Sequence, residues 1–456
     1  VAKERFARRR CADEGWALHY LGRTKEGVAA LTESKRIYND IGDRGHAALA
    51  TLNLATVLNG QASLASRKSM IEEALQAFQS VGSKHGEAGA LNNLAGVLQD
   101  AGSPDEAETI YRRAGAVFGE IGELGNQANT RNNVGTIAET RGDLSEALRE
   151  YGGALEIYRT LKARAGIALE LSNIADVLHL RGELTASLAN RQESLAIYRD
   201  LHAEDGIVER LRATARVFTD QGRLTLAKRN CEEALETSRK SGNRSQTAAT
   251  LDALAIVTLD QGDLAAARRL YDQATALQKQ DASTERGRRL VTTRLLLEEG
   301  NLLEAERTVR AAIQEAGPWS TDGASWQTVL ARCLFREARL REAQAALDQV
   351  AVFLRKSRIQ AIRFDFLVTA ALVNAASGAA ADESEALGTL AEAILESRKY
   401  GFVSFGLEAR LAQGEIEMRS GTPAAIDDLR ALKRDADALG YGLISGKAAK
   451  AMPNGA

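Results

Sequence analysis

The chain has 456 residues with 59 basic and 61 acidic side chains, and its formal net charge of −2 gives no field that would draw nucleic acid or an anionic membrane. Charged residues at 26% and hydrophobic ones at 45% exclude a disordered composition, and four prolines point to a protein that is helical almost throughout. The three cysteines, Cys11, Cys231 and Cys333, are odd in number and share no ligand spacing, which excludes a disulfide framework and suits a reducing compartment.

The first residues, VAKERFARRR, carry charge with no hydrophobic core behind them, and no apolar run reaches membrane-spanning length. A soluble cytoplasmic protein is expected. Shifting Ile41 back by 40 residues lands on Val1, so the sequence opens at a repeat junction. A further repeat, or a catalytic or DNA-binding domain, is expected ahead of it.

The repeat then runs on a strict spacing of 40 residues: Gly22, Ala62, Gly102, Gly142, Gly182, Gly222 and Gly262. Five residues later come Gly27, Arg67, Ala107, Ala147, Ser187, Ala227 and Ala267; twelve residues later come Ser34, Ala74, Ala114, Ala154, Ser194, Ala234 and Ala274. An aromatic follows at Tyr38, Phe78, Phe118, Tyr158 and Tyr198, read as core.

Each unit reads as two amphipathic helices. The first, over 88–101, places Leu91, Leu94, Ala95 and Leu98 on one face. Gly102 is suited to the left-handed residue that closes a helix. Ser103 or Asp143 stands three residues before Glu106 or Glu146, the spacing of a capping box, and Pro104 fits a first helical turn. The second helix runs to about Ile121 or Leu161. Small residues at Ala95, Gly135 and Ala175, with Ala107, Ala147 and Ser187, let the two helices approach closely.

These positions resemble the tetratricopeptide repeat, and NNVGTIAETRGDLSEALREYGGALEIY (132–158) is a close match. The 40-residue unit and the GDRGHA link (42–47) are similar to the longer repeats of kinesin light chains, G-protein-signalling adaptors and bacterial signalling regulators. The resemblance covers about 8–280 strongly and the remainder more weakly. It implies an all-α, right-handed superhelical solenoid of about eleven antiparallel helix pairs. The expected organisation is a regular array over 1–280, degenerate helix pairs over 281–440, and a capping helix and tail over 441–456.

Past Gln280 the spacing changes. Gly300 lies 38 residues after Gly262, Ala338 replaces the glycine another 38 on, and Gly378 and Gly421 mark two degenerate units, the former followed by an extended AAADESEA stretch. The terminal GYGLISGKAA resembles the ends of helical regions fused to bacterial kinases or winged-helix regulators.

No catalytic constellation is present. The five histidines share no metal-ligand spacing, GxSxG is absent, and GYGLISGKAAK lacks the glycine and hydroxyl positions of a phosphate loop. Neither enzymatic activity, a metal nor a cofactor is expected.

A more informative pattern is an asparagine held in register at Asn53, Asn93, Asn133 and Asn173, with Asn92 and Asn132 one residue earlier. In tetratricopeptide proteins the first helices line the concave surface, and asparagine there grips ligand backbone or a terminal carboxylate. The resemblance implies the same contact here. One amide both donates to a peptide carbonyl and accepts from a peptide N–H. Helices about 10 Å apart meet an extended ligand, rising roughly 3.3 Å per residue, at about every third residue. The alternative is that these amides bond between adjacent repeats and set the superhelix.

Further along, the register changes to Ala213, Ala253 and Val291, and arginines collect at Arg212, Arg216, Arg294 and Arg332. These can clamp a carboxylate or phosphate, or pair within one helix, Glu209 with Arg212 and Arg216 with Asp220. Trp16 shares the inner register. The function expected is a protein–protein interaction scaffold or sensory region whose partner is a peptide, a protein segment or a preceding domain of the same chain. The alternative is a regulatory arm of a kinase or winged-helix regulator.

Overall fold

The computed structural model describes residues 17–19, 21–278, 285–317 and 319–453; Cys11, Trp16 and the junction at Val1 lie outside them. Among the described residues every regular element is a helix. After Thr24–Asp40 the helices pair in chain order: Arg44–Val57 with Leu64–Ser80, Lys84–Asp100 with Pro104–Glu120, and Leu124–Arg141 with Leu144–Leu161. Next come Arg164–Leu180 with Leu184–Asp200, Glu204–Asp220 with Leu224–Lys240, and Arg244–Asp260 with Leu264–Gln278. Beyond these lie Glu285–Glu299 with Leu302–Ala316, Thr321–Arg336 with Leu340–Leu354, Gln360–Ala375 with Ala380–Tyr400, and Val403–Arg419 with Ala425–Leu439, followed by Gly442–Ala451. This is a tetratricopeptide-like helical solenoid. No helix among the described residues is long and apolar enough to cross a membrane.

Within each 40-residue repeat the backbone makes the same kind of turn twice. Turns of three residues follow the 17-residue helices and turns of two the 18-residue ones along the regular stretch. One residue of each turn is left-handed, every 20 residues: Gly102 (φ 77°), Gly122 (74°), Gly142 (81°), Lys162 (55°), Gly182 (83°), His202 (52°), Gly222 (74°) and Gly242 (71°). Except at Gly242, where the Asn243 N–H donates to Ser241 Oγ at 3.4 Å, each of these turns is closed by a bond from the following N–H to the carbonyl five residues back, as from Ser103 to Leu98 and from Asp143 to Ala138, both 2.9 Å. The unit containing Ala62 departs from this: its first helix stops at Val57, and Gly60 (φ 75°) takes the left-handed place. Ala338 (φ 60°) adopts the glycine conformation without being glycine. The AAADESEA stretch lies at the start of the 21-residue helix Ala380–Tyr400.

One of the two expected caps forms. Asp143 Oδ1 accepts from the Glu146 N–H at 3.1 Å, whereas Ser103 makes no capping bond and Pro104 alone starts that helix. The small residues at the helix crossings are fully buried, among them Ala95, Ala107, Ala114, Ala147, Ala154 and Ser187. At Gly135 the approach leaves no room for a side chain: a Cβ there would stand 2.7 Å from the Tyr151 ring. Tyr38, Phe78, Phe118 and Tyr158 are core, as expected, while Tyr198 is only partly covered.

The chain divides into two compact units, one of residues 1–137 with 149–163 and one of 138–148 with 164–456. The core of the first unit is a run of interleaved aliphatic and aromatic side chains, including Leu52, Ile71, Phe78, Leu94, Tyr111 and Ile137. The second unit has contacts between repeats far apart in sequence. A Cβ on Gly142 would meet Ser357 at 2.8 Å, one on Gly182 would meet Tyr400 at 2.8 Å, and one on Gly222 would meet Val403 at 2.8 Å. At Gly262 it would meet the Gly442 carbonyl carbon at 2.8 Å. Thr321 Oγ1 donates to the Glu139 carbonyl at 2.8 Å, and Tyr441 donates to the Thr219 carbonyl. The last helix therefore packs on its neighbours and also on the Gly262 turn.

Two stability outcomes follow. A left-handed conformation costs an L-residue about 1–2 kcal/mol, so Lys162→Gly should stabilise the protein by up to about 1 kcal/mol in chemical denaturation. Gly222→Ala and Gly242→Ala share the strained φ, but only Gly222 has a neighbour within reach. The former should lose about 1–3 kcal/mol more, the cost of overpacking.

Candidate functional site

In the first unit, Asn53, Asn92, Asn93, Asn132 and Asn133 are all half-buried on first helices. Asn93 Nδ2 donates to Thr56 Oγ1 of the preceding repeat at 3.3 Å, a bond of the inter-repeat kind. Asn92 Nδ2 faces Asn93 Oδ1, and Asn132 Nδ2 faces Asn133 Oδ1, each at 3.5 Å. The same bond from Asn133 to the preceding repeat would need a hydroxyl where Gly96 stands.

Gly96 has a second effect. In the next repeat Tyr151 donates to Thr136 Oγ1 at 3.2 Å. Tyr111 and Gly96 occupy those two registers one unit earlier, so the Tyr111 hydroxyl has no such partner. A recess of about 310 Å³ opens there, between the Arg44–Val57, Leu64–Ser80 and Lys84–Asp100 helices. Asn92 Oδ1 is buried in this region without a hydrogen-bond partner. Arg67, in the small-residue register, donates through Nε to the Ala55 carbonyl at 3.1 Å and stands 3.5 Å from Asp100. Ser187 makes the equivalent bond to the Ala175 carbonyl at 2.7 Å. Burial, with the Asp100 carboxylate adding to it, pushes the Tyr111 phenol up to about 12, so it remains a donor. The sequence did carry a signal for this recess, glycine in the register of Thr56, Thr136, Asp176 and Arg216, but it is visible only once the Tyr111 register is known to touch it.

In the second unit, Asn173 stands beside Glu170 on the same helix. Burial raises the Glu170 carboxyl to about 8, and Asn173 works against that rise by hydrogen bonding. The arginines are largely matched within the chain. Arg216 lies 3.4 Å from Asp176 of the preceding repeat, not Asp220, whose carboxylate is 2.6 Å from His179. Burial holds the His179 imidazole below its ordinary value in spite of Asp220. Glu209 pairs with Arg210 at 2.7 Å, not with Arg212, whose Nε is buried without a hydrogen-bond partner. Arg294 pairs with Asp260, and Arg332 with Asp365, Glu408 (3.5 Å) and Thr369 (3.3 Å). Asp176 also takes the fully buried Arg191 at 2.8 Å; burial alone would raise its carboxyl, but the two guanidiniums outweigh that and hold it below the usual range.

Cys231 and Cys333 are buried, and burial pushes their thiols up to about 12 and about 11. Among the described residues no cluster of His, Cys, Asp and Glu is placed to hold a metal ion.

Paired helices, left-handed turns and small residues at each crossing define a tetratricopeptide-type solenoid with a polar first-helix face. The family model for the MalT-like TPR region matches residues 122–408, more than half of the chain, and the chain belongs to that family. A tetratricopeptide repeat model also matches residues 88–116. No curated protein sequence matches the chain. Among solved structures, the apo form of RapI is similar with a TM-score of 0.56 at 15% identity, covering 76% of this chain and 98% of that one. The apo form of the quorum sensor NprR from B. thuringiensis gives 0.47 at 14% identity, covering 78% and 100%. BtubC (BKLC) from P. vanneervenii gives 0.44 at 19% identity, covering 48% and 92%. What RapI shares with this chain is the fold.

Glu170 gives a pH dependence of known sign. Its folded-state value of about 8 lies above the ordinary 4.5, so the fold holds the protonated form. That contribution is whole below about pH 4.5 and is lost as the pH rises through about 8, at up to about 1.4 kcal/mol per unit. Glu170→Gln should melt near wild type at pH 5 and above it at pH 9, with the gap widening between them in thermal melts.

Proposed function

We propose that this chain is a protein-interaction region, without chemistry of its own, that takes a peptide or protein segment along the first helices of its first unit. The observation that carries the reading is one asparagine in the same register of three successive repeats, Asn53, Asn93 and Asn133, each half-buried. Asn92 and Asn132 flank them. A protein segment supplies donors and acceptors in alternation, which is what carboxamides satisfy. The bond from Asn93 to Thr56 and the contact from Asn92 to Asn93 Oδ1 leave one N–H and one lone pair of the Asn93 amide for a ligand.

In the second unit Asn173 and Arg212 are the further contact residues proposed. Arg216, Arg294 and Arg332 already have carboxylate partners, and an acidic ligand would have to displace them. The family description, a region, also fits an array serving as the regulatory arm of a longer signalling protein. The partner would then be a segment of the same polypeptide.

The test is recovery of partners from cell extract by wild type and by Asn93→Ala/Asn133→Ala. Two lost hydrogen bonds at about 1 kcal/mol each correspond to a fall in affinity of roughly tenfold or more. Unchanged recovery by a double variant with the wild-type circular dichroism spectrum would remove the asparagine face as the binding surface.

A further inference from the structure

The recess beside Gly96 is a consequence of repeat-to-repeat differences on two registers. The first-helix register reads Thr56, Gly96, Thr136, Asp176, Arg216; the second-helix register reads Ile71, Tyr111, Tyr151, Arg191, Cys231. Where a polar second-helix residue faces a polar first-helix residue, the two bond: Tyr151 to Thr136 at 3.2 Å, Arg191 to Asp176 at 2.8 Å. Tyr111 faces a glycine. Its hydroxyl would be 3.5 Å from a Cβ on Gly96, and Tyr111 lines the recess instead of bonding across the crossing.

The lining defines what the space accepts. Arg67 and Asp100 oppose each other at 3.5 Å, so a ligand charge of either sign would face its like as well as its opposite. What remains is uncharged: the Tyr111 and Thr56 hydroxyls and the Asn93 and Gln99 carboxamides line the space, and Asn92 Oδ1 is buried beside them without a partner. Ile71 and Val97 supply apolar walls. A volume of about 310 Å³ is at the small end of ligand sites.

We propose that this recess is a side-chain pocket for a primary carboxamide, the Gln or Asn side chain of the segment bound along the first unit. The carboxamide carbonyl accepts from the Tyr111 hydroxyl, its N–H donates to Asn92 Oδ1 once the Asn92 amide turns from its 3.5 Å contact with Asn93 toward the space, and its methylene stem lies against Ile71 and Val97. The pocket rests on the protein-segment reading for its occupant, but its chemistry can be tested without the natural partner.

The experiment is saturation-transfer NMR on the full chain with N-acetyl, N′-methylamide derivatives of Gln, Asn, Ala, Ser, Lys and Glu at millimolar concentration. The Gln or Asn probe should give at least threefold the side-chain signal of Ala or Ser, and Lys and Glu should show no such excess. Gly96→Thr, which copies the Thr136–Tyr151 contact and should melt no lower than wild type, should abolish the excess. Tyr111→Phe should reduce it and serves as the second variant. Equal signals from all probes, a preference for a charged probe, or a carboxamide excess that survives both substitutions would overturn the pocket. If the pocket fails while Asn93→Ala/Asn133→Ala still loses its partners, the binding face stands and only its side-chain selectivity is removed.

Discussion

A short turn with one left-handed residue sets the spacing of the helices along the regular repeats. It recurs every 20 residues from Gly102 to Gly262, within repeats and between repeats, and every copy but the one at Gly242 satisfies the helix end with the same bond. Because the turns are alike, the helices between them have nearly the same length, and each starts 40 residues after the one two before it along the regular stretch. That is why one asparagine register stays on one face from Asn53 to Asn133, and why small residues meet small residues at each crossing. The early stop at Val57 is absorbed in a longer turn, and the next helix still starts in phase.

Much of this was readable from the sequence, since the cause is local. Helix pairs, left-handed glycines at Gly102 and Gly142, the buried alanines and the Asp143 cap all follow from residue type and spacing. The 20-residue period was harder to see because Lys162 and His202 break the glycine series in the links, and the backbone tolerates them there. Side-chain pairing was the least readable. Arg216 was as well placed in sequence for Asp220, one turn away, as for Asp176, 40 residues back, and the structure takes the distant partner. In a stacked array residues one period apart are neighbours, so helical spacing alone does not choose between partners along the helix and across it.

The same logic governs how the repeats differ. A polar residue in a packing register is tolerated when the facing helix offers a partner: Arg67 and Ser187 both reach the carbonyl twelve residues earlier, and Arg191 reaches Asp176. Each substitution gives its interface an identity of its own. The asparagines belong to this scheme in part, as Asn93 shows with Thr56, so packing and ligand contact are two uses of one amide rather than competing ones. Gly96 is the place where the scheme leaves both a tyrosine and an asparagine short of a partner.

In a simple solenoid each repeat touches only its neighbours, so whole repeats can be lost or duplicated with local consequences. The second unit is built otherwise. The turns at Gly142, Gly182, Gly222 and Gly262 are fitted in order to Ser357, Tyr400, Val403 and Gly442. Removing or inserting one repeat anywhere between the members of these pairs would move every later pairing out of register at once. The number of repeats in this unit is therefore a structural constant, and it is free to vary by sequence change within repeats but not by the gain or loss of one.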